Sequence, residues 1–306
     1  MHPITALMSA LGVLTAVFIG GWARAAMAVR GLGSREPSPA TDARFPTPAM
    51  IGIGAVTNFF DTLGIGSFAT TTAIFKLLKT VPDRVIPGTL NAGHTLPTVA
   101  QAFIYTSLIP VDIVTLFSMI AAAVLGAWLG AGVVSHWPKK KVQMGMGLAL
   151  LGAAFLMLMT QLKMFPGGGD ALGVSGVKLA VAVGGNFLLG ALMTLGIGLY
   201  APCMILVSLL GMNPTAAFPI MMGSCAFLMP VGSLRFIREQ SYSLRASLGL
   251  AIGGIPAVLV AAYVVKSLSL DTVRWLVIAV VVYTAVTMLI SAFSSADEPA
   301  RATSRV

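Results

Sequence analysis

The segment TLGIG at residues 62–66 recurs unchanged at residues 194–198, which is 132 residues later (194 minus 62). Without a gap, the two stretches also agree at a Leu-Leu pair and at two prolines, with 12 identities over the 38 positions of residues 62–99. Shared Leu is common in any apolar sequence, but shared Gly and Pro spacing is harder to obtain by chance. The chain is therefore predicted to contain two related halves, a pattern found in many membrane transporters.

The composition indicates the medium in which these halves fold. Of 306 residues, 57% are hydrophobic and only 9% are charged, whereas soluble domains carry about 25% charged residues. The apolar segments also reach the roughly 20 residues that cross a bilayer. We therefore expect an all-α polytopic membrane protein. Its net charge of +9 lies in short Lys and Arg clusters between apolar segments, as in cytoplasmic loops, so the expected partner is a lipid bilayer and not nucleic acid.

The Lys and Arg positions also predict the path of the chain. The first apolar run has no Lys or Arg before it but is followed by Arg24 and Arg30, which favours an uncleaved anchor with its N-terminus outside. If both TLGIG segments spanned the membrane fully, Arg84 and Arg245 would lie outside. If each segment is a broken, re-entrant pair of half-helices, both arginines lie inside, as the positive-inside bias requires. Each half then has three further full spans, and the halves are inverted repeats.

The predicted organisation has five parts. They are an N-terminal transmembrane anchor (1–30), a cytoplasmic loop (31–47), a first repeat (48–163), a second repeat (177–293) and a cytoplasmic tail (294–306). We expect a bacterial inner membrane as the location, with the N-terminus outside and the C-terminus in the cytoplasm; a homo-oligomer is left open. No metal-ligand spacing occurs in the sequence, so neither a metal nor another cofactor is expected.

The Gly-Ile-Gly motifs predict a break in each apolar segment, because Gly adopts backbone angles that other residues avoid. A break leaves partly positive N–H groups at the start of the next half-helix, and such ends bind anions. The predicted substrate-binding residues lie at the breaks: Gly64, Gly66, Ser67, Thr70, Thr71, Gly196, Gly198, Tyr200 and Cys203. The alternative is that these glycines only allow close helix packing, as we expect for Gly126-x-x-x-Gly130 and Gly249-x-x-x-Gly253.

Asp61, Asn58 and His94 are the predicted ion-coupling residues. A carboxylate at membrane depth is costly and usually faces a cavity or a proton relay, and His titrates near neutral pH. The alternative for Asp61 is a structural hydrogen bond to Asn58 or Thr62. The alternative for His94 is a hydrogen-bonded place in the core. The repeat counterpart of Asp61 is Met193, so a coupling role would be confined to one half.

The Leu-Gly-Ile-Gly break, the Leu-Leu and two-proline continuation and the duplicated half resemble the sulfite exporter TauE/SafE family of permeases. In that family a Gly-Ile-Gly-Gly-Gly motif followed by Pro-Leu-Leu opens each half. Here residues 64–66 and 196–198 keep the Gly-Ile-Gly core, while Ser-Phe at 67–68 and Leu-Tyr at 199–200 replace the further glycines. Pro202 matches the family's Pro, and Thr70 replaces it in the first half. The resemblance covers about residues 46–293 and implies transport of sulfur-containing or carboxylate anions across a bacterial inner membrane.

Three functions follow from these features. The leading hypothesis is a secondary transporter, or permease, that moves a small anion such as sulfite, a sulfonate or an organic acid, coupled to protons or other ions. The alternative is a passive anion channel, which shares the repeat and the helix ends. A membrane-embedded enzyme or an assembly subunit is the third hypothesis, but no group of catalytic residues supports an enzyme.

Overall fold

The computed structural model describes residues 3–31, 38–42, 44–164, 168–196, 198–263 and 271–294. Within these residues the chain forms eleven α-helices and no named strand. They are α1 (Pro3–Gly31), α2 (Pro48–Thr62), α3 (Ser67–Leu78), α4 (Ile86–Leu108), α5 (Ile113–Val134), α6 (Lys139–Gln161), α7 (Gly176–Met193), α8 (Tyr200–Leu209), α9 (Ala217–Arg238), α10 (Leu244–Tyr263) and α11 (Asp271–Ser294). Short 3₁₀ helices at Asp83–Val85 and Pro214–Ala216 precede α4 and α9. The predicted tail from residue 295 onward, and residues 32–37 and 43 of the predicted loop, lie outside the described residues.

Six of these helices are long and apolar enough to cross a membrane: α1, α5, α6, α7, α9 and α10. Their surfaces expose large apolar side chains, including those of Leu125, Leu148 and Leu188. Such a surface suits lipid and is unsuited to water. The predicted all-α class is confirmed for the described part of the chain, and the six helices fit a multi-pass membrane protein.

The order of helices is duplicated with the spacing of the sequence repeat. Shifted by 132 residues, α2 to α6 overlap α7 to α11 one for one, and the two 3₁₀ helices also overlap. The backbone repeats as well, since Gly64 and Gly196 have φ of 90° and 96° in the two breaks. Lys79 and Gly211, which follow α3 and α8, also have positive φ, 50° and 84°. Both halves therefore contain the same succession of elements.

Helices α4 and α9 pack against each other at the centre of the bundle. Most of α9 is buried and apolar. Helix α4 is buried although it is rich in polar side chains: Thr89, Asn91, His94, Thr95, Thr98 and Gln101. This polar content explains why α4 is not among the six apolar helices. It also means that α4 supplies hydrogen-bonding groups to the middle of the protein.

The two predicted glycine motifs lie at close helix contacts. A Cβ on Gly126 would meet the backbone carbonyl of Phe187, where α5 packs on α7. A Cβ on Gly253 would meet the carbonyl of Ile51, where α10 packs on α2. The predicted packing role of these motifs is confirmed.

Three helix starts meet at one end of the bundle. The Nε of Arg245 donates to the carbonyl of Phe45 at 3.0 Å, which joins the start of α10 to the segment before α2. The N–H of Ser243 donates to the Thr89 hydroxyl at 2.9 Å, which joins the same region to the start of α4. Helices α2, α4 and α10 therefore begin beside one another.

The end of α3 also lies near the start of α4. Lys76 in the last turn of α3 contacts Asp83 in the 3₁₀ helix that follows α3 and precedes α4, with Nζ and Oδ2 2.6 Å apart. The Nε2 of Gln143, in α6, donates to the same Oδ2 at 2.7 Å. The chain thus enters α2 and leaves α3 near the start of α4.

The second half has the same arrangement at its own helix ends. The N–H of Asn213, after α8, donates to the carbonyl of Ala171, before α7, at 2.8 Å. The Nζ of Lys178, in the first turn of α7, donates to the carbonyl of Leu210, directly after α8, at 3.1 Å. The start of α7 and the end of α8 are therefore neighbours.

Candidate functional site

The first break separates α2 from α3 at residues 63–66. The N–H of Ile65 donates to the carbonyl of Phe60 at 3.0 Å, and the N–H of Gly64 donates to that of Asp61 at 2.9 Å. This pair of bonds around a left-handed Gly is the usual way to end a helix. Gly66 precedes α3 with φ 91° and ψ 134° and forms no side-chain cap. The predicted break is therefore present, and α3 begins with its first-turn N–H groups uncapped by the residue before it.

The second break separates α7 from α8, and its described residues are 194–196 and 198–199. The N–H of Gly196 donates to the carbonyl of Met193 at 3.0 Å, which matches the bond from Gly64 in the first half. Leu199, the residue before α8, again forms no side-chain cap. Each break is therefore followed by a helix start that the preceding residue does not cap.

One small cavity lies between the two breaks, with a volume of about 10 Å³, roughly what one water molecule needs. Both breaks contribute to its wall, together with the central helices α4 and α9. The lining residues are Asp61, Gly66, Ser67, Phe68, Thr98, Met193, Gly198, Leu199, Tyr200 and Cys225. The structure thus brings residues of both halves to one enclosed point.

A buried hydrogen-bonded chain joins the two breaks through α4. The Nε2 of Gln101 donates to Oδ2 of Asp61 at 2.9 Å, and its Oε1 accepts from the Tyr200 hydroxyl at 2.6 Å. Gln101 is fully buried, and Asp61 is only 3% exposed. The Asp61 side chain therefore bonds to Gln101, and not to Asn58 or Thr62 as the structural alternative supposed. Because Gln101 uses both ends of its amide, it connects the carboxylate that lines the cavity with the start of α8.

The Asp61 carboxyl group also interacts with the backbone N–H and the hydroxyl of Ser67, the first residue of α3. A carboxylate is favoured at a helix N-terminus for the same reason that a bound anion is. The protein thus supplies its own negative group at the helix start that the sequence predicted for a substrate.

His94 belongs to a second buried chain beside the cavity. Its Nδ1 lies 3.0 Å from Oδ1 of Asn58, and its Nε2 lies 3.0 Å from the Thr71 hydroxyl. Asn58 directs its amide N–H to the carbonyl of Gly54 at 2.7 Å, so its Oδ1 acts as an acceptor. A neutral His94 therefore carries its proton on Nδ1 and accepts from Thr71. This chain ties α2, α4 and α3 together, as the core alternative for His94 predicted.

The predicted site residues divide into two groups. Asp61, Gly66, Ser67, Gly198 and Tyr200 line the cavity. Seven others do not line it: Asn58, Gly64, Thr70, Thr71, His94, Gly196 and Cys203. Their structural contacts differ. The Thr70 hydroxyl donates to the carbonyls of Gly66 and Ser67 at 3.0 and 2.9 Å, while Cys203 is completely buried.

The predicted site residues omit several that line the cavity, among them Thr98, Met193 and Cys225. Thr98 and its neighbour Gln101 continue a stripe of polar residues on α4 that begins at Asn91 and recurs every three or four residues, and this helical spacing is the signal that could have placed Thr98 at the site. Met193 and Cys225 form a sulfur-bearing part of the wall, with Sδ of Met193 and Sγ of Cys225 3.6 Å apart. An apolar side chain in an apolar helix carries no such signal.

Comparison of the chain with protein-family models, with curated proteins and with solved structures gave no match. The resemblance to the TauE/SafE permeases therefore stays a prediction that depends on the short repeated motif and on the duplicated half.

Proposed function

We propose that this protein is a secondary transporter for a small anion and that Asp61 couples transport to protons. The observation that carries the proposal is the meeting of two helix starts, one from each half, at a single cavity, where a buried carboxylate lies at the start of α3. Paired helix breaks of this kind bind substrates in several transporter folds. Sulfite, sulfonates and organic acids are the anions that the sequence resemblance suggests.

We further propose that the halves are inverted repeats with re-entrant first segments. The shared order of elements at a spacing of 132 residues supports a duplication. The start of α2 and the end of α3 both lie near the start of α4, which supports a segment that returns to the side from which it came. Three further helices then follow in each half, and an odd number of crossings inverts the second copy.

Proton coupling follows from the position of Asp61. Its carboxyl group lies at the start of α3 and inside a cavity of about 10 Å³, and two negative groups this close cannot both stay ionised. A bound anion therefore requires that Asp61 take up a proton or leave the helix start. In the first case each anion moves together with one proton.

Transport also requires that the two breaks separate. A polyatomic anion needs several times the room of one water molecule, so the conformation described is closed around its site. The bond between Tyr200 and Gln101 must break as α8 moves away from α4, since it joins the start of α8 to α4 beside the cavity. Rocking of one half against the other would open the site alternately to each side.

The test uses the purified protein in proteoliposomes with radiolabelled sulfite or lactate and an imposed pH gradient. We expect a proton gradient to drive accumulation of one of these anions. Asp61→Asn should abolish gradient-driven accumulation and preserve exchange of internal for external anion, because Asn is neutral without a proton. Asp170→Asn is the matched control, since Asp170 is a carboxylate outside the cavity.

Unchanged accumulation by Asp61→Asn would remove Asp61 from coupling while leaving anion transport intact. Flux that does not saturate and shows no counterflow would instead favour the passive channel. Absence of flux for every sulfur oxyanion and carboxylate tried, from protein that stays folded, would refute the proposed transport.

A further inference from the structure

A second, larger cavity lies far along α3 from the breaks, between the end of α3, the following 3₁₀ helix and the start of α6. Its volume is about 460 Å³, within the range of about 300–1,000 Å³ that small-molecule sites occupy. Its lining residues are Phe75, Lys76, Lys79, Val81, Pro82, Asp83, Arg84 and Lys139. Four of these eight side chains are cations.

The positive charge in this cavity is only partly neutralised. Asp83 is the one acidic lining residue, and Lys76 and Gln143 already bind it at 2.6 and 2.7 Å. Among the described residues, Lys79, Arg84 and Lys139 form no ion pair. An anionic group in this cavity would therefore find three lining cations that are not held in ion pairs.

The start of α6 adds to this charge. Lys139, the first residue of α6, lines the cavity at a helix end that is itself positive, and no acidic residue lies in this first turn. Pro138, the residue before the helix, provides no side-chain cap. Like charges at a helix start repel unless a counter-ion binds, so this end favours a phosphate group.

The neighbouring surface distinguishes a lipid from a soluble anion. Leu77 and Leu78, on the same last turn of α3, are 48% and 57% exposed, and Phe75, Val81 and Pro82 form the apolar part of the cavity wall. A cationic cavity bordered by exposed leucines at the end of an apolar helix matches an amphipathic anion. We propose that this cavity binds the phosphate headgroup of an anionic phospholipid, with its acyl chains along Leu77 and Leu78.

The test measures retention of dioctanoyl phosphatidylglycerol by the purified full-length protein in native mass spectrometry, against the phosphatidylcholine of equal chain length. We expect the wild type to prefer phosphatidylglycerol. The variant Arg84→Gln/Lys139→Gln should bind it about 10- to 30-fold more weakly, because each cation near a lipid surface contributes several-fold. Lys140→Gln/Lys141→Gln is the matched control: it removes the same charge from exposed residues that do not line the cavity.

Three results would overturn the proposal. Equal retention of the two lipids by the wild type would show that the headgroup charge is not recognised. Equal weakening in the control variant would show diffuse attraction to the whole loop. Displacement of the lipid by millimolar inorganic phosphate would assign the cavity to a soluble anion. If the first variant does not fold, the charge-preserving Arg84→Lys/Lys139→Arg should keep the preference, and its loss there would also contradict the proposal.

Discussion

Gly66 and Gly198 occupy equivalent positions in the two halves, yet their backbones differ. Gly66 has φ 91° and ψ 134°, a region that only Gly adopts without strain, whereas φ of Gly198 lies outside the left-handed range. At neither position would an added Cβ have a heavy atom within 4 Å. Substitution by Ala therefore tests backbone conformation separately from packing.

We expect Gly66→Ala to lower the free energy of unfolding by about 1–3 kcal/mol, the usual cost of a residue held in a sparsely populated conformation. Gly198 has the same room for a Cβ, but its φ lies outside the left-handed range. Gly198→Ala should therefore change the free energy of unfolding by less than about 0.5 kcal/mol. Thermal unfolding of both detergent-solubilised variants gives the comparison. Equal effects of the two substitutions would mean that the break after α2 does not depend on the Gly66 conformation.

At the residue scale, the sequence predicted the cavity residues that are unusual in their surroundings. Asp61 stands out because a carboxylate is rare in an apolar segment, and Gly66 because it repeats. The partner of Asp61 was not predictable, because Gln101 is 40 residues away and on another helix. The partners of His94, which are Asn58 and Thr71 on two other helices, were not predictable for the same reason. Polarity indicates that a side chain needs a partner, but only the packing of α2, α3 and α4 decides that the partner is protein.

At the scale of elements, the contact between α5 and α7 depends on glycine. A Cβ on Gly190 would meet the backbone carbonyl of Ala123, and a backbone atom cannot move aside as a flexible side chain can. We expect Gly190→Val to separate the two helices and to destabilise the protein by about 1–3 kcal/mol, as overpacked contacts do. Small residues at such contacts are the main means by which membrane helices approach one another.

Gly184→Val is the matched control, because Gly184 lies on the same helix, is exposed and would place an added Cβ with no heavy atom within 4 Å. It should shift the unfolding midpoint little, and thermostability by size-exclusion fluorescence measures both variants. A Gly190→Val protein as stable as the control would contradict the packing described for α5 and α7.

The start of α5 is stabilised by an exposed cap. Oδ1 of Asp112 accepts from the N–H of Thr115 at 2.8 Å and from its hydroxyl at 2.7 Å. The bond from the Thr115 backbone N–H holds the pKa of the Asp112 carboxyl below its ordinary value of 3.8, and the bond from the Thr115 hydroxyl lowers it to a smaller extent. A lowered pKa stabilises the folded state above pH of about 4, and this contribution disappears as the pH falls through the folded pKa.

We therefore expect Asp112→Ala to cost about 1 kcal/mol at pH 7, with the difference from wild type constant down to about pH 5 and shrinking below pH of about 4. Asp112→Asn keeps a neutral acceptor, so its stability should lack this acid-dependent loss. Unfolding midpoints of the three proteins between pH 7 and pH 3 provide the measurement. A difference from Asp112→Ala that persists unchanged at pH 3 would argue against an ionised cap.

Most elements could be predicted because a membrane requires long apolar helices, and Gly and Pro mark where they end. Helices α5, α6 and α10 follow directly from uninterrupted apolar runs. The breaks before α3 and α8 follow from the repeated Gly-Ile-Gly. The central position of α4 was harder to foresee, because its polar residues could equally line a pore or bind neighbouring helices. In the structure, several of these polar side chains form buried hydrogen bonds to other parts of the protein.

At the scale of the whole molecule, positive charge gathers at the end of the bundle where α2, α4 and α10 begin. Arg245, Lys76 and the lysines of residues 139–141 lie at or next to these helix ends. At the same end, His136 after α5 contacts Glu239 after α9, with Nε2 and Oε2 3.2 Å apart. The positive-inside bias predicts that this end faces the cytoplasm.

The re-entrant path can be tested by labelling single cysteines with a membrane-impermeant maleimide. The native Cys203 and Cys225 are 0% and 1% exposed, so the folded wild type should not react before denaturation. We expect Arg44→Cys and Arg84→Cys, which lie before α2 and after α3, to react only after the membrane is permeabilised, because both belong to the cationic end. Asp170→Cys, between α6 and α7, should react in intact cells. If the segment from α2 to α3 crossed the membrane once, residues 44 and 84 would lie on opposite sides. Labelling of only one of these two positions in intact cells would therefore exclude the re-entrant arrangement. It would also exclude the inversion of the two halves, which depends on that arrangement.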